Sequence, residues 1–313
     1  MPNSLKRLVI AGGSGYLGSC LADYFQTRAE EIIILTRHPK TAQGNIQFVA
    51  WDARHLGDWQ KYFCGADAVI NLTGRSVNCR YTPENQREII DSRVHSTKVV
   101  GEAIAACDNP PPVWLNASSA TIYPASFDED RTEESHLDYN GFSENVCQQW
   151  EKVLLEAATP GVRKVALRTS FVLGPPPCAA FDAFKNLAKK GLGGSMAGGK
   201  QFVSWMHEAD FCRAVEWIID HPELQGPINM TAPNPLTNAE FMREIRQALR
   251  VPFGLPSFRW MLEIGAFVMG TETELILKSR KVIPKKLLDS GFTFHFPSWK
   301  EAVASITGTK VLL

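Results

Sequence analysis

The sequence carries no excess charge of either sign: 33 basic residues are matched by 33 acidic ones, and the formal net charge is zero. That balance leaves no electrostatic footprint for nucleic acid or an anionic membrane surface, so neither is expected as a partner. A long apolar run is also missing. The nearest, Ile264 to Gly270 with Trp260 to Leu262 before it, is interrupted by Glu263 and falls well short of the ~20 residues of a membrane span, so it predicts a buried helix. No Cys-x-x-Cys pair occurs among the seven cysteines, at 20, 64, 79, 107, 147, 178 and 212, which argues against a redox couple or a zinc site. Scattered and odd in number, they predict reduced thiols and a cytoplasmic protein. Met1 to Lys6 lead straight into an apolar run, so no signal or transit segment is expected. Internal repeats and low-complexity tracts are lacking too.

What the chain does have is Gly12-Gly13-Ser14-Gly15-Tyr16-Leu17-Gly18, directly after the apolar run Leu8-Val9-Ile10-Ala11 and opening a helix through Leu21 and Phe25. A strand that turns through glycines into a helix builds a diphosphate site. Glycines let the backbone approach a pyrophosphate, and the helix N-terminus supplies free N–H groups and partial positive charge.

Short β-branched runs then alternate with longer amphipathic stretches. Strands are predicted at 7–11, 31–36, 46–51, 67–73, 112–118, 164–170 and 227–231, with helices starting near 16, 56, 84 or 90, 143 and 209. This is the α/β pattern of a doubly wound, Rossmann-like parallel sheet with helices on both faces. After Gly174 the texture changes: Pro175-Pro176-Pro177 leads to a helix through Phe181 and Phe184, a glycine-rich loop from 191 to 199, and a helical region beyond Asn238. The chain therefore divides into a dinucleotide-binding domain of 1–174 plus 203–235 and a smaller, mostly helical substrate domain of 175–202 plus 236–313. The glycine-rich loop reads equally as a substrate edge or as a flexible connection.

The end of the second strand carries the cofactor choice. A carboxylate there would bind a ribose 2′-hydroxyl, but the segment reads Ile34-Leu35-Thr36-Arg37-His38, and Arg37 with Thr36 suits a 2′-phosphate. NADP is the expected cofactor. Asp52, closing the third strand, fits either an adenine contact or a turn. Small residues in Leu72-Thr73-Gly74 after the fourth strand allow close approach to the cofactor, and Arg93 on the following helix is expected to contact it. Ser118-Ser119 and Tyr123 follow the fifth strand, where hydroxyls point into the ligand crevice. Val172, in Phe171-Val172-Leu173-Gly174, is taken with the cofactor residues.

Together with Asn71, Leu167-Arg168-Thr169-Ser170 and Val172-Leu173-Gly174-Pro175, these segments resemble an extended short-chain dehydrogenase/reductase. Asp91-Ser92-Arg93, Trp205-Met206-His207 before Asp210, Ala232-Pro233-Asn234-Pro235 and Pro284-Lys285-Lys286-Leu287 narrow the resemblance to an atypical, sugar-nucleotide epimerase-like group with a small C-terminal domain. The resemblance spans nearly the whole chain. It implies NADP(H) binding, a substrate in a cleft beneath the second domain, a homodimer, and Ser119 as the active-site serine.

It also implies a tyrosine and, four residues later, a lysine within 140–151; the tyrosine would exchange a proton while the lysine lowers its pKa. Neither is present. The pair falls on Ser143 and Cys147, or on Phe142 and Val146 in the neighbouring register. Candidates for the missing acid are Tyr139, Tyr123, His207 and Cys147. Arg75, where that group often carries glutamate, fits an anionic substrate, a cofactor phosphate or a surface loop. The expected function is that of an NADP(H)-binding oxidoreductase or epimerase-like protein acting on a small polar, sugar-nucleotide-like molecule; an NADPH sensor without turnover is the alternative.

Overall fold

The structure, a computed structural model, describes residues 4–138, 140–268 and 270–309. Seven strands form one parallel sheet: β1 (Leu5–Ala11), β2 (Ala29–Thr36), β3 (Ile46–Ala50), β4 (Ala68–Asn71), β5 (Val113–Ser119), β6 (Arg163–Thr169) and, last in the chain, β10 (Gly226–Met230). Their spatial order is β10-β6-β5-β4-β1-β2-β3, and every pairing is parallel. β1 lies between β4 and β2, so the winding reverses there. A crevice opens outside the carboxyl ends of strands at such a reversal.

Alternation along the strands builds two cores. Leu8 and Ile10 with Ile32, Ile34, Leu115 and Leu167 face α1 (Tyr16–Phe25) and the helix Glu208–Asp220, whereas Val9, Ala11, Ile33, Leu35 and Trp114 face α2 (Pro83–Ala105) and α3 (Phe142–Glu156). Apolar residues on both faces give the near-continuous runs that mark buried parallel strands.

Beyond the sheet lie β7 (Phe171–Leu173), α4 (Ala179–Lys189), β8 (Phe202–Val203), β9 (Trp205–His207), α5 (Glu208–Asp220), β11 (Leu236–Thr237) and α6 (Asn238–Ala248). Then come α7 (Arg259–Val268), α8 (Glu274–Leu277), α9 (Lys285–Asp289) and α10 (Trp299–Thr307). A third core joins Phe181 and Phe184 of α4 to Trp205, Phe241 of α6 and Trp299 of α10. Thr237 and Glu240 start α6 with a reciprocal capping box.

Three expectations are corrected. The helix near 56 is only a five-residue 3-10 turn, Asp58–Tyr62. The apolar helix of the 260s forms as α7 but is not buried: Ala266 alone is enclosed, while Trp260, Ile264 and Phe267 are exposed, because α4, α6 and α10 already close the core. The 191–199 loop is not a free connection. Gly194 N–H donates to Leu255 O at 3.1 Å and Ala197 N–H to Ser257 O at 2.7 Å, which fastens it to the segment before α7.

Candidate functional site

At the switch point the chain leaves β1 through Gly12, whose φ of +72° suits glycine and whose added Cβ would strike Thr73 Oγ1 at 2.6 Å. Gly13 is pressed against Ile10, and Gly18 packs its Cα on the backbone of Gly13. Gly15 differs: a Cβ there would meet nothing within 4 Å. It is also the N-cap of α1, with no side-chain cap and no acidic residue in the first turn. The N–H groups at Tyr16, Leu17 and Gly18 therefore head the helix unmasked, beside exposed Ser14. Thr73 Oγ1, buried opposite Gly12, has no hydrogen-bond partner among the described residues. Open space, helix N–H groups and an orphaned hydroxyl fit a dinucleotide diphosphate. The Tyr16 hydroxyl turns away to Glu208, and burial pushes its pKa up.

At the end of β2, Thr36 is buried and its Oγ1 accepts from His38 N–H at 3.3 Å. Arg37 is exposed and has no ion-pair partner among the described residues. Asp52 forms a turn: its Oδ1 accepts from the N–H groups of Arg54 at 2.8 Å and His55 at 2.9 Å, and Oδ2 meets the His55 ring at 2.6 Å. Those bonds hold its pKa down at about 2. Asp52 thus forms the turn that the sequence offered as one of its two readings.

After β4, Leu72 N–H donates to Ala11 O at 2.8 Å and Thr73 N–H to Asn71 Oδ1 at 3.1 Å, so this loop flanks the glycine turn. Arg93 lies beneath Gly74. It donates to the carbonyls of Arg75 and Ile89 at 3.0 and 2.9 Å and stacks over Trp150, which makes it a support for the loop. Arg75 pairs with Glu88 and donates to Asn85 at 2.8 Å, so its charge is taken up on α2.

A cavity of about 200 Å³ lies at the carboxyl ends of β5 and β6. Ser119, Thr121, Thr169, Ser170, Lys278 and Arg280 supply its polar edges. Phe171, Phe184, Phe202 and Ile276 supply most of its wall. Ser119 Oγ accepts from Thr121 N–H at 3.2 Å and keeps only a long contact, 3.5 Å, to Thr169 O, which leaves its proton available to a ligand.

Other proposed site residues are elsewhere. Tyr123 is fully buried; its hydroxyl donates to Asn229 at 2.8 Å and accepts from Arg168 Nη1 at 2.8 Å, while burial pushes its pKa up to about 12. His207 caps α5, its Nδ1 accepting from Ala209 N–H at 3.1 Å and its ring stacking on Phe296. Neither lines the cavity: Tyr123 serves the Arg168 and Asn229 network and His207 the start of α5. Val172 is buried in the first core, and Trp205 is buried against Trp299. Tyr139 lies outside the described residues.

On α3, Ser143 Oγ donates to Glu274 at 3.0 Å, and Cys147 meets Thr121 Oγ1 at 3.3 Å. Burial pushes the Cys147 thiol up to about 11, so it is uncharged near neutral pH and cannot do a lysine's work. The cations come instead from the turn after α8, as Lys278 and Arg280. Sequence reasoning passed over both, although the run Lys278-Ser279-Arg280-Lys281 was a visible signal.

A model of the NAD dependent epimerase/dehydratase family matches residues 8–230. The chain belongs to this family. A second model, of the domain of unknown function DUF1731, matches residues 258–306. Among family members, Epimerase family protein SH2119 of Staphylococcus haemolyticus is 32% identical over 301 residues, covering 95% of this chain and 98% of its own. Epimerase family protein YfhF of Bacillus subtilis is 28% identical over 302 residues, with 96% and 97% covered. The crystal structure of human epimerase family protein SDR39U1 (isoform 2) with NADPH superposes with a TM-score of 0.84 at 26% identity, over 96% of this chain and 99% of that one. The fold and the resemblance to the epimerase-like group, C-terminal domain included, are therefore as the sequence indicated. This epimerase family protein has an NAD(P)-binding architecture. Among its described residues no helix is long and apolar enough to cross a membrane.

Proposed function

We propose that this epimerase family protein is an NADP(H)-dependent oxidoreductase or epimerase-like enzyme acting on a small polar substrate. One observation carries the reading: the open glycine turn at Gly15 and the Ser119 cavity both sit at the carboxyl edge of the parallel sheet. Arg37, exposed at the end of β2 where no carboxylate stands, supports the phosphorylated cofactor. The human relative crystallised with NADPH points the same way.

A bound nicotinamide supplies hydride chemistry, and the protein's task is to orient and to move protons. Ser119 holds the reacting oxygen of the substrate. Lys278, beside Ser119 in the cavity lining, is the ammonium assigned to the proton at that oxygen. The apolar wall excludes water from the reacting atoms.

A specific observation keeps the sensor reading alive: Ser143 and Cys147 are both engaged and cannot replace a tyrosine–lysine pair. The two readings part in a single assay. Slow oxidation of NADPH by a panel of small carbonyl compounds, lost in Ser119→Ala and in Lys278→Met, supports the enzyme. No oxidation, with NADPH-dependent association with another protein, supports the sensor.

A further inference from the structure

Arg280 is the least satisfied charge next to the cavity. The residue is 93% buried, being 7% exposed, yet its Nε and Nη2 have no hydrogen-bond partner among the described residues. Leaving a buried cation without acceptors is costly, so an orphaned pair of this kind needs an explanation.

The neighbouring carboxylates do not supply one. Glu274 comes within 3.9 Å of Nη2, beyond hydrogen-bond range, and its oxygens are taken by Ser143 Oγ at 3.0 Å and Lys278 Nζ at 3.3 Å. Lys278 also pairs with Glu144. Two glutamates, Lys278 and Arg280 balance in charge, but the hydrogen bonds run through Lys278 and bypass the guanidinium.

Nε and Nη2 form one edge of the guanidinium plane, the edge whose two N–H groups point in parallel. The same molecule shows what that edge binds: Arg168 uses Nε and Nη2 to hold both oxygens of Glu151 at 2.9 and 2.8 Å. On Arg280 the equivalent edge finds no acceptor among the described residues. The edge is covered in this structure, but Arg280 lines the cavity, so a turn of its last side-chain torsions would present Nε and Nη2 to a ligand there.

The remaining walls narrow the ligand further. The cavity's volume of about 200 Å³ is below the ~300–1,000 Å³ of sites for drug-sized ligands, so it suits a compact group. Three of its other polar side chains are engaged within the protein: Ser170 donates to Met230 O, Ser204 donates to Arg280 O, and Asn238 accepts from Met196 N–H. Few donors or acceptors remain to read sugar hydroxyls. Phe171, Phe184, Phe202 and Ile276 are instead suited to a flat apolar body.

We propose that the cavity takes a compact carboxylate with an aromatic or aliphatic body, its carboxylate forked onto Nε and Nη2 of Arg280, and not a nucleoside diphosphate sugar. This deepens the proposed function, since it names the substrate class of that same site, and it rests on that reading.

The test is calorimetric titration of the full chain, with and without saturating NADPH, using benzoate, its neutral isostere benzamide, inorganic phosphate and UDP as probes. The expected result is saturable benzoate binding at least tenfold tighter than benzamide, phosphate or UDP. In Arg280→Gln the benzoate preference should vanish while NADPH affinity stays unchanged. Equal binding of benzoate and benzamide by the unmodified protein would overturn the assignment, as would tighter binding of phosphate or UDP. The unmodified protein alone decides this if the variant does not fold. Failure to bind NADPH would sink the proposed function separately, and the probe titrations without NADPH would still decide the carboxylate site.

Discussion

Arg168 lays one edge of its guanidinium along both oxygens of Glu151, at 2.9 and 2.8 Å, with both residues buried behind the carboxyl ends of β5 and β6. Ser118 adds a hydrogen bond to Glu151 at 2.6 Å, and Arg168 reaches Tyr123 with its remaining nitrogen. The fork ties β6 to α3 and sets the floor on which Ser119 stands. Removing one partner strands the other charge, so Glu151→Ala and Arg168→Met should each cost about 3–5 kcal/mol. The double variant should lose clearly less than the sum. Urea unfolding of the four proteins checks this.

Tyr123 belongs to the same network and not to the cavity. Tyr123→Phe leaves Arg168 Nη1 and Asn229 Oδ1 without the phenol and should cost about 1–3 kcal/mol of stability. NADPH affinity measured on the folded variant should match that of the unmodified protein. A large loss of affinity at full folding would return Tyr123 to the site.

The glycines of the first turn should separate folding from binding. Gly12→Ala meets both a positive φ and the Thr73 backbone at 2.9 Å, and is expected to destabilise the fold. Gly15→Ala finds open space, so it should cost only the ~0.5–1 kcal/mol of an alanine at the N-cap and shift the thermal midpoint far less than Gly12→Ala. NADPH binding should nonetheless weaken roughly tenfold, because the methyl group enters the space a diphosphate needs. Thermal melts paired with cofactor titration distinguish the two.

His207 gives a pH signature. Burial lowers its pKa, and its Nδ1 must stay unprotonated to accept from Ala209 N–H. In the unfolded chain it protonates near its ordinary value of about 6.5. Between the folded and unfolded values the unfolded state binds more protons, so this contribution is present above about pH 6.5 and is lost as pH falls toward the folded value. His207→Asn keeps a capping side chain without the titration. Its stability should fall less than that of the unmodified protein between about pH 7.5 and about pH 5, measured by urea unfolding at each pH.

The strands of the sheet and the glycine turn were legible because their signals are local: apolar runs of strand length, and glycines fixed between a strand and a helix. The helix boundary at 83 was marked by Thr82 and Pro83, a cap and a first-turn proline. The hydrogen-bond partners of Tyr123 and the packing of His207 were not legible, because which way a side chain turns after a strand depends on residues far away in sequence, Asn229 for one and Phe296 for the other. Lys278 and Arg280 lie more than 120 residues beyond α3, and only the folded chain brings them beside Ser119. The exposed face of α7 was unreadable for a related reason: an apolar helix is buried only if the core beneath it has room.

The most direct test of the account is a fluorescence titration of the purified protein with NADPH and with NADH, repeated on Arg37→Ala. Binding of NADPH at least tenfold tighter than NADH, with the difference lost in Arg37→Ala, is the predicted result. Equal affinity for both dinucleotides, or an Arg37→Ala variant that still prefers NADPH, would contradict the assignment of the 2′-phosphate to Arg37. Failure of the unmodified protein to bind either would contradict the enzyme and the sensor together.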